Sequence, residues 1–595
     1  MSKDKNLVPI VVIASMFFYL GHWCYNLWQT AEGISINEKF NWINTHINNY
    51  TAVYSLDGRF SLYSISCGLA LFLIVLIIYW STRDTGVYRH GEEYGSARFA
   101  TLKEYAPYSD PDFFQNIILS MDIRLTYNRA KKFIHDRNKI VVVIGGSGSG
   151  KSYSILLPNL MQMQGSYLVI DPKGVLAHTT GKMFLDAGYK VRVFDLLSLS
   201  NSHKFNPFKY INTDAELRSM IEGVIYGTND ANAKSDQPFW SMSEKQVLTA
   251  LLGYLHYSRE EGMPYATLED VTKLTPYLND KYDQPEEPGV LDILFEELEE
   301  KIGSNNLAIQ SWKSFNANFQ GETRINVTSM PTTRFQVFST PEVAALTSSD
   351  DKKKKNWGTE KYVVFVKIPV FEKTYNFLAN ILVRQVLNTL VKVADKDHRG
   401  QLPNQVNLLL DEFASVGKLP NMKEAFTNLR SYRIFITTFI QEIAGISEEL
   451  YKSEYKSMIS NADSFVYLGG NSPDDWKYIS KDLMGTQTIT LKNHSNSRGQ
   501  SSSSSESVQR LGRSLMTPDE IGVLPNDESL VRIRGLRFYR GKKYDLTQHP
   551  RFNQISESDP SKWWDYQINE DSQDDLLSSI NLDDIEEIDL SKQPA

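Results

Sequence analysis

The chain is poor in cysteine. Its 595 residues include only two, Cys24 and Cys67, and both lie inside apolar runs. This scarcity excludes a disulfide framework and a cysteine-based metal site, and it fits a reducing compartment for the main body. The chain also lacks a positive charge excess, because its formal net charge is −8. Composition alone therefore does not indicate a nucleic-acid-binding protein.

Two segments near the N-terminus lack charged side chains altogether. Residues 7–28 and 60–80 contain no Asp, Glu, Lys or Arg, and about 20 apolar residues suffice to cross a bilayer. We predict two transmembrane helices there, within an N-terminal membrane anchor over residues 1–82 whose loop 29–59 faces outward. The alternatives are a cleaved signal peptide for the first segment and a buried core helix for the second.

Basic residues flank these segments on the inner side. Lys3 and Lys5 precede the first segment, and Arg83, Arg89 and Arg98 follow the second. Since positive charge marks the cytoplasmic side, both ends are predicted to lie inside. We therefore expect a multi-pass protein of the cell (inner, cytoplasmic) membrane, with everything after about residue 81 in the cytoplasm.

A phosphate-binding motif follows a short apolar run. Residues 140–144 read as a buried parallel strand. The following residues fit G-x-x-x-x-G-K-[ST]; they are Gly145, Gly146, Ser147, Gly148, Ser149, Gly150, Lys151 and Ser152. The glycines allow backbone N–H groups to turn towards phosphates. We predict ATP and Mg²⁺ as cofactors, with Lys151 reaching the β- and γ-phosphates and the Ser152 hydroxyl on the metal.

Two acidic residues end a second apolar run. Residues 406–410 read as a buried strand, and Asp411 and Glu412 follow directly. In open α/β sheets, ligands bind at the carboxyl edge of the strands. We predict that Asp411 holds Mg²⁺ through water and that Glu412 orients or deprotonates the attacking water, which makes the site an ATP hydrolase. Taken alone, the pair could also be two solvated acids at a strand end.

Polar residues flank a third predicted strand at residues 433–438. Gln441 follows its end, where it could sense the γ-phosphate; a surface glutamine is the alternative. Arg430 and Arg433 lie on the edge of this strand. Either could reach a neighbouring subunit's phosphate as an arginine finger, and an ordinary surface arginine is the alternative for each.

These motifs belong to a longer ordered series. It comprises GEEYGSA at 91–97, LPNL at 157–160, DPKG at 171–174, FNP at 205–207, LDEFAS at 410–415, TFIQ at 438–441 and LMTPDE at 515–520. Together with the two apolar spans, the series resembles the type IV secretion coupling proteins of the TraG-like conjugative kind over most of the chain. The phosphate-binding motif alone is unspecific, whereas the DPKG, FNP and LMTPDE segments are specific.

The resemblance implies a hexameric, ring-shaped ATPase at the inner face of a conjugation channel. Such proteins receive a relaxase bound to single-stranded plasmid DNA and pass it to the channel. The resemblance also implies that Arg430 is the arginine finger and Gln441 the sensor glutamine. The expected partners are the relaxase with its DNA, channel subunits, accessory or adaptor proteins, and further copies of the chain in a homo-hexamer.

The predicted fold is α/β: a RecA-like P-loop ATPase domain with an inserted all-α domain, preceded by two transmembrane helices. The RecA-like domain is expected at 83–213 and 324–554, and helical spacing of apolar residues predicts the all-α domain at 214–323. The resemblance assigns cargo recognition to that domain. Residues 555–595 contain twelve acidic and two basic residues, which predicts an acidic, disordered tail that docks a cargo protein or adaptor.

The expected function is a membrane-anchored ATPase that couples relaxase-bound single-stranded DNA to a type IV secretion channel and energises its transfer. Two alternatives stay open: a coupling ATPase that mainly recruits protein substrates, and a docking receptor that binds nucleotide without hydrolysing it. The presence of Lys151, Asp411 and Glu412 argues against the receptor. A chromosomal DNA pump is disfavoured, since such pumps usually carry more spans and a terminal DNA-reading domain.

Overall fold

The computed structural model of the chain describes residues 8–46, 60–82, 89, 91–228, 238–280, 288–349, 358–369, 373–413, 422–447, 451, 454–497 and 503–568. The chain divides into two compact units, Met1–His90 and Gly91–Ala595. The first unit contains the predicted anchor, and the second contains all the motifs of the predicted nucleotide site.

The first unit consists of helices Val8–Thr30, Ile36–His46 and Leu62–Thr82. The two long helices pack closely at glycines: a Cβ on Gly21 would lie 2.8 Å from the Cys67 carbonyl oxygen, and one on Gly68 would lie 2.7 Å from that of Phe18. Small residues allow such close contact between membrane helices. Large apolar side chains such as Met16 remain exposed on the outside of the pair, as a lipid-facing surface requires.

Three described helices are long and apolar enough to cross a membrane: Pro9–Thr30, Leu62–Thr82 and Asn376–Asp397. The first two coincide with the predicted spans and are compatible with membrane anchoring. Asn376–Asp397 differs, because Leu378, Ile381 and many of its other residues are buried within the second unit. We interpret it as a core helix.

In the described residues, the second unit is built on a nine-stranded sheet. Its strands are β3 Val141–Ile144, β4 Ser166–Asp171, β5 Lys190–Asp195, β6 Tyr362–Lys367, β7 Val406–Leu410, β8 Ile434–Ile440, β9 Ser464–Tyr467, β12 Glu528–Ile533 and β13 Tyr539–Lys542. Their order across the sheet is β13-β12-β9-β3-β8-β7-β4-β6-β5. From β9 to β5 all neighbours are parallel, whereas β12 runs antiparallel to β9 and β13. The central parallel strands are buried throughout, which explains their unbroken apolar sequences.

Two smaller ribbons accompany the sheet. They are β1 Asn116–Ile118 with β2 Arg124–Thr126, and the long hairpin of β10 Thr486–Ser497 with β11 Ser503–Ser514. In the described part of the second unit, the α-helices outside the stretch between β5 and β6 are Leu102–Tyr105, Leu157–Met161, Leu176–Asp186, Asn376–Asp397, Met422–Asn428, Ile443–Ser447, Glu454–Asn461, Pro473–Lys477 and Pro518–Gly522.

The described residues between β5 and β6 form helices without strands. The α-helices are Asp214–Thr228, Pro238–Tyr257, Leu268–Leu274, Val290–Ile302, Leu307–Asn318, Gly321–Phe335 and Pro341–Ser348. The boundary predicted at 323 is wrong, because it falls inside helix Gly321–Phe335 and the helical stretch continues to Ser348. Leu251 and Phe315 belong to the same buried cluster as Leu168 of the sheet. A separate all-α domain therefore stays a prediction.

The predicted tail also begins too early. Ile555 and Tyr566 are buried, and the backbone N–H of Trp564 donates to the carbonyl of His178 at 2.9 Å. The Tyr566 hydroxyl donates to the Asp195 carboxylate at 2.7 Å. Aromatic anchors thus hold residues 555–568 against helix Leu176–Asp186 and the β5 end despite the acidic residues between them. The remainder of the predicted tail, 569–595, lies outside the described residues.

Candidate nucleotide site

The predicted site residues follow adjacent strands at one edge of the sheet. In the registers of β3, β8 and β7, Ile144 pairs with Ile440 and Leu410 pairs with Thr438. The phosphate loop, Gln441 and the Asp411–Glu412 pair therefore leave the sheet side by side. This is the carboxyl edge, where open α/β sheets bind ligands.

The shape of the phosphate loop depends on its glycines. Gly148 and Gly150 have φ angles of 74° and 87°, which glycine adopts without steric cost. A Cβ on Gly145 would lie 2.4 Å from the Ser149 hydroxyl oxygen. The Gly146 N–H donates to the Gly469 carbonyl at 2.9 Å. The loop is thus closed tightly and attached to the segment that follows β9.

Lys151 is held at the centre of this loop. It is 8% exposed, and its Nζ donates to the carbonyls of Gly145 at 2.5 Å and Gly146 at 3.1 Å. Burial lowers the pKa of Lys151, while the charges of Asp411 and Glu412 act in the opposite direction. Ser152 follows and opens a helix whose first turn is the π-helix Ser152–Leu156 and which continues as Leu157–Met161.

The two acids are placed differently. Asp411 is 8% exposed, and burial, reinforced by the charge of Glu412, raises its pKa to about 6. Glu412 has a φ of 45°, a left-handed conformation that costs energy for a residue with a side chain and often marks functional sites. Its N–H donates to the Asp411 carboxylate at 3.1 Å.

The donors at this edge fit Mg²⁺. Ser152 offers a hydroxyl and Asp411 a carboxylate, and hard cations prefer such oxygen ligands. Among the described residues, no cluster of three or more His, Cys, Asp or Glu side chains is arranged to hold a metal. A magnesium ion that arrives with phosphates needs no such cage, because it is usually bound by one or two protein ligands, phosphates and water.

Asp171 also lies at this edge, although the sequence assigned no role to it. It ends β4 and is 1% exposed. Its carboxylate accepts hydrogen bonds from the N–H groups of Val175, Leu176 and Ala177 at 3.2, 2.7 and 3.4 Å. Burial raises the pKa of Asp171 to about 6. Asp171 thus fixes the DPKG turn beside the site and caps helix Leu176–Asp186.

Gln441 and the two arginines occupy opposite edges. Gln441 is exposed at the end of β8. The turn that follows is held by a hydrogen bond of 3.1 Å, in which the Ile443 N–H donates to the buried Asp475 carboxylate. Arg430 precedes β8, so it lies at the other edge of the sheet and does not join its own chain's phosphate loop. Its Nη2 is 3.0 Å from the Asp136 carboxylate, and its side chain is 45% exposed.

Arg433 has a local structural role. Its φ is 63°, and its Nη1 donates to the carbonyls of Leu402 and Pro403 at 3.1 and 2.7 Å. This side chain holds the turn before β7 and β8 together. Of the two arginines considered as a finger, Arg430 pairs with the Asp136 carboxylate, whereas Arg433 binds backbone carbonyls.

The structure brings to the site one lysine that the sequence analysis did not predict there. Lys543 directly follows β13, and its Nζ donates to the Ser149 carbonyl at 2.7 Å. Beside it, the Tyr153 hydroxyl donates to the Asp545 carboxylate at 3.1 Å. No motif surrounds Lys543, so its contact with the phosphate loop becomes visible only in the folded chain.

A phosphate loop followed by a helix, with an Asp-Glu pair at the end of a nearby parallel strand, defines an α/β nucleotide-binding protein of the P-loop class. The chain belongs to the family described as "Type IV secretory system Conjugative DNA transfer", whose model matches residues 100–556. The resemblance to type IV secretion coupling proteins is thereby confirmed.

Curated relatives have similar sequences. The conjugal transfer protein TraG of Rhizobium radiobacter is 26% identical over 402 residues, which cover 66% of this chain and 60% of TraG. The protein VirD4 of Agrobacterium fabrum is 23% identical over 494 residues, which cover 79% of this chain and 68% of VirD4. The match to TraG thus spans about three fifths of that relative's own length.

Solved structures show the same fold. The bacterial conjugative coupling protein TrwBdeltaN70 superposes with a TM-score of 0.54 at 15% identity, covering 77% of this chain and 95% of that one. The plasmid coupling protein TrwB in complex with the non-hydrolysable ATP analogue ADPNP gives a TM-score of 0.52 at 14% identity, covering 78% and 96%. At these identities the likeness concerns the fold.

Proposed function

We propose that this chain is a membrane-anchored ATPase that couples relaxase-bound single-stranded plasmid DNA to a type IV secretion channel and energises its transfer. The observation that carries the proposal is the meeting of buried Lys151 with the Asp411–Glu412 pair at one edge of the sheet. Membership in the conjugative DNA transfer family and the ATP analogue bound by TrwB support it.

In this proposal, different residues of the chain bind the phosphates, hold the metal, act on the attacking water and sense the γ-phosphate. N–H groups within the loop from Gly145 to Gly150, among them that of Gly150, cradle the phosphates, and Lys151 moves from the loop carbonyls to the β- and γ-phosphates. Ser152 and Asp411, the latter through water, would hold Mg²⁺, whose charge would offset that of the phosphate oxygens. Glu412 orients or deprotonates the attacking water. Gln441 senses the γ-phosphate from the end of the neighbouring strand.

Arg430 acts in trans in this proposal. It lies at the edge of the sheet opposite its own phosphate loop, and its half-exposed side chain is held only by Asp136 among the described residues. In a ring where this edge faces the nucleotide of the next subunit, Arg430 would contact that nucleotide's phosphates as an arginine finger. A homo-hexamer with six composite sites is the arrangement we propose.

The setting is the cytoplasmic face of the cell membrane. Helices Val8–Thr30 and Leu62–Thr82 are proposed to span it. The flanking basic residues favour a cytoplasmic location for the second unit. Channel subunits, the relaxase and its DNA are the proposed partners. The helices between β5 and β6 and the acidic residues after 568 are the proposed sites for accessory or adaptor proteins.

Replacement of Glu412 by Gln tests the function. Glu412→Gln should retain ATP binding, lower hydrolysis by about 10²–10⁴-fold because the base is lost, and abolish plasmid transfer in a mating assay. Glu342→Gln, at an exposed position in helix Pro341–Ser348, is the matched control and should change neither. If the Glu412→Gln protein still supports normal transfer, the chain acts as a docking receptor and the motor proposal is wrong.

A further inference from the structure

A second lysine reaches the phosphate loop from outside. Lys543 donates from Nζ to the Ser149 carbonyl at 2.7 Å and lies 3.5 Å from the Asn526 amide oxygen. It comes from the far C-terminal part of the sheet, after β13, and has no counterpart in the phosphate-binding motif. It is half-buried, so part of its hydration is lost.

Among the described residues, no carboxylate forms an ion pair with Lys543 itself. Asp527, the acidic group whose field acts on it, forms an ion pair with Lys542. Asp545 accepts hydrogen bonds from Tyr153 and Thr547. Burial lowers the pKa of Lys543 to about 8, with partial opposition from Asp527. A desolvated cation whose partners are neutral oxygens is costly, unless an anion binds nearby.

The peptide between Ser149 and Gly150 connects this cation to the inside of the loop. The peptide is trans, so its C=O and N–H point in opposite directions. Lys543 occupies the carbonyl end. The N–H end belongs to Gly150, one of the loop groups that face the phosphates in this motif. A charged donor on the carbonyl polarises the peptide and strengthens its N–H as a donor.

We propose that Lys543 is a positioning residue of the phosphate site, which acts through the Ser149–Gly150 peptide to bind the polyphosphate of a nucleoside di- or triphosphate. The inference rests on the proposed nucleotide site. It adds a contribution from the C-terminal part of the sheet to a loop that is otherwise built from contiguous residues. Because the polarised N–H belongs to the loop and not to a γ-phosphate sensor, Lys543 strengthens the binding of both ADP and ATP.

The test measures nucleotide affinity in the full-length protein in detergent. Fluorescent N-methylanthraniloyl ADP and ATP are titrated against wild type and four variants. Lys543→Met removes the charge and the donor, and Lys543→Gln removes the charge but keeps an N–H donor on a side chain one atom shorter. Lys543→Arg keeps both. Lys542→Met is the matched control, because this exposed neighbour pairs with Asp527 and not with the loop. Thermal unfolding of each variant reports on folding.

The expected result is a loss of about five- to tenfold in affinity for both nucleotides with Lys543→Met and Lys543→Gln, since hydrogen bonds to charged groups are the strong ones. Lys543→Arg should stay within about twofold of wild type, and Lys542→Met should not change. Unchanged affinity in Lys543→Gln overturns the inference. Equal losses in Lys543→Arg and Lys543→Met, with matching losses of thermal stability, also overturn it, because a packing role would then explain them.

Lys151→Met separates the inference from the function on which it rests. If Lys151→Met abolishes binding while the Lys543 variants bind normally, the nucleotide site stands and the role of Lys543 is wrong. If Lys151→Met leaves binding unchanged, the proposed nucleotide site itself is contradicted, together with the inference.

Discussion

The two lysines at the phosphate loop differ in what surrounds them. Lys151 lies inside the loop, and the charges of Asp411 and Glu412 favour its protonated form against the effect of burial. Lys543 lies outside the loop and donates a hydrogen bond to the Ser149 carbonyl. The nearby carboxylates of Asp527 and Asp545 interact with Lys542 and Tyr153 instead. Burial lowers the pKa of Lys543 to about 8, so the protonation state of the outer lysine changes near neutral pH, with a measurable consequence for nucleotide binding.

We expect nucleotide affinity to fall as the pH rises through about 8. Bound phosphates favour the charged form of Lys543 and raise its pKa above the value in the free protein. Above the free pKa, binding must take up a proton, so the affinity decreases towards that of the Lys543→Gln protein, by up to about tenfold in total. Titrations of labelled ADP between about pH 7 and pH 9.5 measure this slope.

Lys543→Arg is the control for this slope, because arginine stays charged over the whole range. The other charged or titratable groups around Lys543 are Asp527, Lys542, Asp545 and Tyr153, and the variant retains them all. Lys139, whose pKa burial lowers to about 8, is likewise retained. An equal slope in wild type and Lys543→Arg would contradict the prediction.

Single residues also show where sequence reasoning succeeds. The phosphate loop, Asp411 and Gln441 each directly follow an apolar run, so the strand edge at which they meet could be predicted from the chain. The role of Lys543 could not be predicted in this way, because its contact with the Ser149 carbonyl depends on the path of β12 and β13 across the sheet edge. No local pattern of residues encodes that path.

At the scale of elements, the segment 555–568 shows how composition misleads. Its acids predicted disorder, yet Trp564 and Tyr566 attach it to helix Leu176–Asp186 and to β5. Lys367 completes the contact, since its Nζ donates to the Tyr566 hydroxyl at 2.7 Å and lies 2.8 Å from Asp195. A few aromatic side chains with buried polar partners outweigh the charge of their neighbours. The helical stretch also continues past its predicted end at 323, through helix Gly321–Phe335 and its interior Pro331.

We expect Gly181→Val to detach this segment. Gly181 lies in helix Leu176–Asp186, and a Cβ there would come within 2.0 Å of Cε3 of Trp564. The indole ring cannot remain, and overpacking of this kind costs about 1–3 kcal/mol. Limited digestion with chymotrypsin, followed by mass spectrometry, should show faster cleavage at Trp563, Trp564 and Tyr566.

Gly445→Val is the matched control for Gly181→Val. Gly445 also lies in a helix, Ile443–Ser447, but a Cβ there would have no atom within 4 Å. Its digestion at the C-terminal aromatic residues should equal that of wild type. If these sites stay protected in Gly181→Val, the packing of Trp564 against the helix does not require the glycine, and the prediction is wrong.

At the scale of the whole molecule, the division at His90 separates the apolar helices from the sheet unit. A chain that begins at Gly91 lacks both proposed spans, so we expect it in the soluble fraction without detergent, whereas the full chain should sediment with membranes. Binding of labelled ADP by the shortened chain checks that the unit has folded. Sedimentation of the shortened chain with membranes would place an anchor outside the first unit.

The placement of Arg430 at the edge of the sheet opposite its own site predicts complementation between inactive subunits. Rings of Arg430→Ala alone or Glu412→Gln alone should hydrolyse ATP very slowly, since each site lacks either the finger or the base. In rings co-expressed from both, an Arg430→Ala subunit that receives Arg430 from a Glu412→Gln neighbour has a complete site. Random mixing in equal amounts gives such an arrangement at about a quarter of the interfaces.

A mixture of Lys151→Ala with Glu412→Gln is the control, because both changes disable the nucleotide-holding half of a site and no pairing restores it. Equal rates in the two mixtures would show that Arg430 does not act across a subunit interface.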